Sequence, residues 1–363
     1  MKFGLISIPM ALDYAAGRQT LPEVIDWDLT VAEAADRAGI DAMFFAEHYT
    51  LGIEASPAPD LMIAAASQRT TRLKLGAMGH LLPYHNPIAL AFRLMWLDHM
   101  TGGRYIAGLA PGAYPSDAAL FATGGENAKM FLEGLDIVEA AWTKPGPYTI
   151  DGDYWTMAMP GYDESFHGPH LKPAQSPRPR ILLTGMSPNS PTLAEAGRRG
   201  FHPVSQQVGA DVLANHWETY ASAAVAAGHV PDRENWIVAR EVLVGDTDEQ
   251  ALALARNIGL SRLWEEYMIP VFKKLGLTGF LTGGAIPDDE LTVDWLFENF
   301  FIIGSPDTVA TGIRALYERT GGFGTIISTV QDYRHAQDAY RHHLELLANE
   351  VRPLLADLAS QGA

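Results

Sequence analysis

Cysteine is absent from the chain. That gap excludes disulfide bridges, a thiolate nucleophile and Cys-ligated zinc. Positive charge is scarce: 26 Lys and Arg stand against 43 Asp and Glu, a net charge of −17. Such an acidic surface repels phosphate backbones, so nucleic acid is not an expected partner; the acidity serves solubility. No apolar run approaches the roughly 18 residues that span a bilayer. The opening "MKFGLISIPMALDYAAGRQT" lacks the long apolar region and cleavage site of a signal peptide and reads as a first strand. No membrane is expected, and the expected location is cytoplasmic. Motifs are missing too. There is no Gly-x-Gly-x-x-Gly after the first strand, no His-Glu-x-x-His, no Gly-x-Ser-x-Gly and no P-loop. The first strand also lacks the His-x-His of metallohydrolase barrels, so no metal site is expected.

What is present is a rhythm. Of 363 residues, 47% are hydrophobic, enough for a sizeable core. Short apolar runs alternate with amphipathic segments. Strands are predicted at Lys2–Pro9, Asp41–His48, "LKLGAM", "RYIAGLA", "RILLTG", "HPVSQQ", "NWIVAREVLVGD" and "GTIISTV". Helices are predicted between them: one ending at Gly39, then Pro57–Arg69, "NPIALAFRLMWLDHM", Asn127–Trp142, Ser190–Arg199, one from Asp248, and one from about Tyr333. "YTIDGDYWTM" reads as a hairpin with Asp151-Gly152 at its tip. Eight strands each followed by a helix fit a (β/α)8 TIM barrel, and the missing dinucleotide fingerprint disfavours a doubly wound sheet. No linker divides the chain, so residues 1–363 are read as a single barrel domain. Insertions interrupt it at about 144–179 and 260–299, each a candidate active-site lid or a surface excursion.

In such a barrel, chemistry collects at the C-terminal ends of the strands. The predicted second strand ends in Glu47-His48-Tyr49, the third runs into "GHLLPYHNP" with His80, Tyr84 and His85, the fourth into "APGAYPSD" and the fifth into "TGMSPNSPT". Each cluster has a plainer reading. His48 suits a loop hydrogen bond, Glu47 a buried structural acceptor, His85 a helix cap, and "TGMSPNSPT" a simple N-cap. The last also suits a phosphate, since free backbone N–H groups and the helix dipole favour an anion. His342 and His343, on the last helix, read as solvated.

Taken together, "KFGLI", "AEHY", "LKLGAMGHLLPYHNP", "GGRYIAGLAPG" and "GSPDTV" make the chain resemble the bacterial luciferase-like flavin monooxygenases over nearly its whole length. Within that family, "GHLLPYHNP" and "WEEYMIPVFKKLGL" are similar to the diketocamphane monooxygenases, type II Baeyer–Villiger enzymes. The resemblance implies a two-component, homodimeric enzyme. Reduced FMN comes from a separate flavin reductase, and one atom of O2 is inserted into a small apolar substrate such as a cyclic ketone or terpenoid. It puts His48 in the place of the family's functional histidine. It lays the flavin ring on Met78 and Gly79, joined by a cis peptide, with Glu47 nearby, and brings the phosphate to Thr184, Gly185, Ser187, Asn189 and Ser190. His80 and Tyr84 are added as candidate donors to a developing oxyanion, and Phe3, Met78, Leu81, Leu82, Trp264 and Phe272 as an apolar lining that keeps water out. Two departures stand out: Pro111 occupies the place of the luciferase phosphate-binding arginine, and Ala110 that of the reactive cysteine. Two alternatives stay open on these residues. One is a deazaflavin-dependent oxidoreductase of the same superfamily; the other is a catalytically silent flavin-binding paralogue.

Overall fold

A computed structural model describes every residue except Glu164, Phe166, Ile258 and 361–363, with the side chains of Ala359 and Ser360 also left aside. Eight parallel strands close on themselves: β1 (Lys2–Ser7), β2 (Ala42–Phe45), β3 (Lys74–Ala77), β4 (Tyr105–Ala110), β5 (Arg180–Gly185), β6 (His202–Ser205), β7 (Ile237–Ala239) and β8 (Thr325–Thr329). Each pairs with the next, β3 with β4 through Leu75–Tyr105, and β8 returns to β1 through Ile326–Phe3. The predicted (β/α)8 architecture is therefore the observed one.

Alternation along the strands explains the two cores. Ile6, Phe44, Ile106, Leu182, Val204 and Ile327 fill the barrel interior, whereas Leu5, Met43, Leu75, Tyr105, Leu183 and Ile326 pack outward under the helices. Gly108 marks the tightest approach. A Cβ there would lie 1.9 Å from the Ala77 carbonyl oxygen, so only glycine lets β3 and β4 meet beside Met78. The Met78–Gly79 peptide is cis, as the resemblance implied. Helices follow their predicted signals. Gly39 ends Leu21–Ala38 with φ of 93°. The side chain of Asn86, rather than His85, caps Pro87–Met100 by accepting from Ala89 N.

Three expectations change. The predicted seventh strand is two: Ile237–Ala239 stays in the barrel, while Val242–Val244 leaves to pair with Ile302–Gly304. Between them Arg240 and Glu241 are both buried. Arg240 donates to the Val208 carbonyl and lies over the Phe300 ring, and Glu241 turns to the mouth. The hairpin Tyr148–Asp151/Thr156–Met159 pairs Asp151 with Thr156, so residues 152–155 form its loop in place of a two-residue tip. Glu133 holds that loop by accepting from the backbone of Asp153, Tyr154 and Trp155. Last, His343 is buried rather than solvated. Its Nδ1 accepts from Val244 N, and burial pushes its pKa down to about 3.

Candidate active site

A cavity of about 580 Å³ opens at the C-terminal mouth of the barrel. Its floor is Met78, Gly79 and Leu81; its sides are Ala110 to Pro115 after β4 and Thr184 to Ser187 after β5. Its roof is built by the 260–299 insertion through Leu263, Trp264, Tyr267, Met268, Phe272 and Phe280. None of the described residues of the other insertion, 144–179, lines this wall. Among the described residues, the acidic side chains on the wall are Glu47, Glu54 and Glu241, and no Lys or Arg lines it.

Glu47 and His48 follow β2. Glu47 is buried and fully engaged. Its Oε1 accepts from Tyr49 Oη at 2.6 Å and lies 2.8 Å from His85 Nε2; its Oε2 accepts from Leu81 N at 3.2 Å. Burial alone would raise its pKa, but the imidazoles of His80 and His85 outweigh it and hold the carboxyl far below the ordinary glutamate range. His48 lies between two other buried acids, with Nε2 3.3 Å from Glu54 Oε2 and Nδ1 3.9 Å from Asp117 Oδ2. The Tyr114 ring meets it edge-on, 5.2 Å between centroids. Asp117 also accepts from the amide and hydroxyl of Thr50. His48 and Thr50 together hold its pKa down against the effect of burial. Glu54 has fewer partners, a hydrogen bond from Tyr267 Oη at 3.0 Å and the ring of His48, and burial raises its pKa.

The expected residues are partly brought together. Glu47, His48, Met78, Gly79, Thr184, Gly185, Ser187 and Ser190 all face the cavity. His80 and Tyr84 do not, contrary to expectation. After Gly79 the chain runs on parallel to β4 and pairs through His80–Leu81 with its end. His80 is thereby buried behind Glu47, 3.0 Å from Tyr105 Oη. Tyr84 stacks on Phe121 and supports the wall from behind: Asn127 Nδ2 donates both to its hydroxyl and to the Pro111 carbonyl. Asn189 also faces away, its amide paired with Asn215. Phe3 and Leu82 belong to the outer core rather than to the lining. Sequence reasoning passed over Glu54, Tyr267, Gln207 and Glu241, all on the wall. Tyr114, in the strand-end run "APGAYPSD", is on the wall as that run suggested.

The β5 corner has the shape of an anion site. A Cβ on Gly185 would lie 2.7 Å from Ser190 Oγ and 2.5 Å from Leu193 Cγ, so glycine lets the helix Pro191–Arg199 close onto the strand end. Ser190 caps that helix, and Ser187, Ser190 and Thr192 border the cavity at its N-terminus. Among the described residues no group of three or more His, Asp or Glu is arranged to hold a metal ion.

A family model described as luciferase-like monooxygenase matches residues 1–322. The chain belongs to that family. Among relatives, it is 37% identical to 3,6-diketocamphane 1,6-monooxygenase of Pseudomonas putida, over 97% of this chain and 98% of the relative. It is 30% identical to limonene 1,2-monooxygenase of Rhodococcus erythropolis, over 91% of this chain and 81% of that one. A solved structure of the oxygenating constituent of the P. putida 3,6-diketocamphane monooxygenase, a type II Baeyer–Villiger enzyme in complex with FMN, superposes with a TM-score of 0.92. That superposition covers 98% of both chains at 36% identity. The luciferase-like barrel thus runs through the whole mouth described above. No helix among the described residues is long and apolar enough to cross a membrane.

Proposed function

We propose that the chain is the oxygenating component of a two-component flavin-dependent monooxygenase. It uses reduced FMN and O2 to insert one oxygen into a small, neutral, apolar substrate, a cyclic ketone or terpenoid, in a Baeyer–Villiger reaction. The observation that carries the reading is the cavity itself: a bare-backbone floor at Gly79, a hydroxyl-lined helix N-terminus at one side and an apolar roof. Its residues fit the cofactor named in the FMN-bound relative. Met78, Gly79 and Glu47 would border the ring; Thr184, Gly185, Ser187 and Ser190 would meet the phosphate. When bound and reduced, FMN supplies the electrons that activate O2.

The remaining work belongs to the chain. Trp264, Phe272 and Phe280 exclude water from the reacting end. His48 is the one imidazole among the described residues of the wall and is placed to hold or pass a proton. With no Lys or Arg among the described residues of the wall, anionic substrates are disfavoured and a phosphate is held by hydroxyls, backbone donors and the helix dipole. FMN should therefore bind modestly and exchange with a reductase, as a shared reduced flavin requires. Nucleotide reduction by the chain itself is not part of this reading, because no Gly-x-Gly-x-x-Gly turn is present.

The same reading takes residues 1–363 as one barrel unit working in the cytoplasm as a homodimer. Exposed Leu61, Trp96 and Met100 on the neighbouring helices Pro59–Ser67 and Pro87–Met100 support the pairing. The test is aerobic turnover of a panel of cyclic ketones and terpenes with FMN, NADH and an unrelated flavin reductase. Lactone or other oxygenated product carrying one 18O from labelled dioxygen is expected. Binding of a deazaflavin in preference to FMN, or no oxygenated product from any substrate, would overturn it.

A further inference from the structure

The roof is joined to the rest of the mouth by a few polar contacts. Arg262 pairs with Asp13 at the surface, and Gly209 N donates to the Phe280 carbonyl. Another contact is half-buried in the cavity wall, where Tyr267 Oη donates to Glu54 Oε1 across 213 residues of chain. The other oxygen of the same carboxylate lies 3.3 Å from His48 Nε2. Glu54 is itself held firmly. Its backbone forms a bridge with Met10, and Ala11 N donates to the Ile53 carbonyl. Two residues on, Ser56 bridges His48 and its hydroxyl donates to the Ala46 carbonyl. The loop after β2 therefore presents one pre-placed carboxylate to two groups, His48 from the end of β2 and Tyr267 from the roof.

We propose that Glu54 is a positioning residue that couples His48 to the roof: one oxygen sets the plane of the imidazole, and the other latches the 260–299 insertion through Tyr267. Closure of the roof and orientation of the ring then depend on each other. When Tyr267 lets go, the carboxylate is free to rotate and His48 loses its fixed neighbour on the Nε2 side, leaving Asp117 and Tyr114 around it. The inference rests on the reading above in assigning His48 to the reacting end of the cavity. Its test needs neither flavin nor substrate.

The full chain, free of ligand, would be compared with Tyr267→Phe, Glu54→Leu, the double variant, and Arg262→Ala as a surface control. Two quantities are measured: the rate of proteolytic cleavage within the insertion under native conditions, and the ring 15N signals of His48. Tyr267→Phe and Glu54→Leu are each expected to speed cleavage about tenfold, the scale of one hydrogen bond to a charged group. The double variant should be no faster than the singles, because both remove one contact. Arg262→Ala should change the rate by less than about threefold, as for an exposed pair. The His48 signals should shift in Tyr267→Phe although Tyr267 does not pair with that ring. Cleavage of Tyr267→Phe at the wild-type rate, or unmoved His48 signals, would overturn the coupling. If Glu54→Leu fails to fold, Tyr267→Phe and Glu54→Gln decide alone. Wild-type protein that shows the latch but yields no oxygenated product would overturn the functional reading and leave this inference standing.

Discussion

Glu47 and Glu54 lie seven positions apart, line the same cavity and are buried to the same degree, at 1% and 2% exposure. Their electrostatics are opposite. Glu47 is met by a tyrosine hydroxyl, a backbone amide and two imidazoles, and its carboxyl is driven far below the ordinary value of 4.5. Glu54 has a single tyrosine hydroxyl and shares His48 with Asp117, and its carboxyl is pushed above that value. Burial is common to both, so burial does not decide the charge; the number of donors does. The first glutamate holds β2, the turn after β3 and the rim together. The second has fewer donors and a raised pKa beside the imidazole, an arrangement that clusters at functional sites.

The comparison breaks most sharply on removal of the first. Glu47→Leu strands the His80 and His85 imidazoles and the Leu81 amide in the interior. Urea unfolding should show a loss of about 3–5 kcal/mol, the scale of a buried pair deprived of one partner. A loss below about 1 kcal/mol would mean that those donors find other acceptors. At the other corner the effect should fall on chemistry. His48→Ala is expected to lower oxygenated product per NADH roughly tenfold or more, the lost oxygen appearing as hydrogen peroxide. Stability should change by less than about 1 kcal/mol, since the ring lies at the mouth and not in the barrel core. Unchanged coupling would remove His48 from the reaction.

A third measurement sets the two acids against each other by pH. For Glu47 the folded pKa is depressed, so its contribution to stability is present above 4.5 and lost as pH falls below that value. For Glu54 the folded pKa is raised, so its contribution is fully present below 4.5 and lost as pH rises through the folded value. His48, Tyr267 and Asp117 are the groups that face Glu54. Glu47→Gln should therefore approach wild-type stability as pH falls. Glu54→Gln should gain on wild type as pH rises from 4.5 to 8, by up to about 1.4 kcal/mol per unit of folded–unfolded pKa difference. Parallel curves for the two variants would mean that the two corners do not differ.

How much of this was legible follows from what a local pattern can carry. The barrel was, because period-two apolar runs such as Leu5, Met43 and Leu75 report strands directly. Glu47 and His48 were as well, because they end β2 and barrel chemistry sits at strand ends. His80 and Tyr84 were misplaced because distance from a strand end says nothing of direction. The chain after Gly79 runs on parallel to β4, and that pairing carries both behind the wall. The strand break at Arg240 was invisible because its cause is Phe300 and Ile302, some sixty residues later. Glu54 belongs to no motif, and "WEEYMIPVFKKLGL" gives Tyr267 no partner; their meeting across 213 residues exists only in the closed fold.

The smallest expected effect separates two neighbours that the sequence had grouped. Asn189 and Ser190 were both expected to meet a phosphate, yet Ser190 faces the cavity and Asn189 is turned to Asn215. Ser190 also caps Pro191–Arg199 by accepting from Leu193 N, so its hydroxyl serves the helix as well as the anion. Ser190→Ala should weaken FMN binding by about 1–2 kcal/mol, as for loss of a hydrogen bond to a charged group. Asn189 has φ of 53°, a conformation that asparagine and glycine accept and alanine resists. Asn189→Gly therefore removes the amide without forcing the backbone, and should shift FMN binding by less than about 0.5 kcal/mol, the range of substitutions away from a site. Fluorescence titration of the two variants with FMN distinguishes them. If the glycine variant loses as much as the alanine variant, the Asn189–Asn215 pair shapes the anion site, and the phosphate depends on the loop's outer face as much as on its inner one.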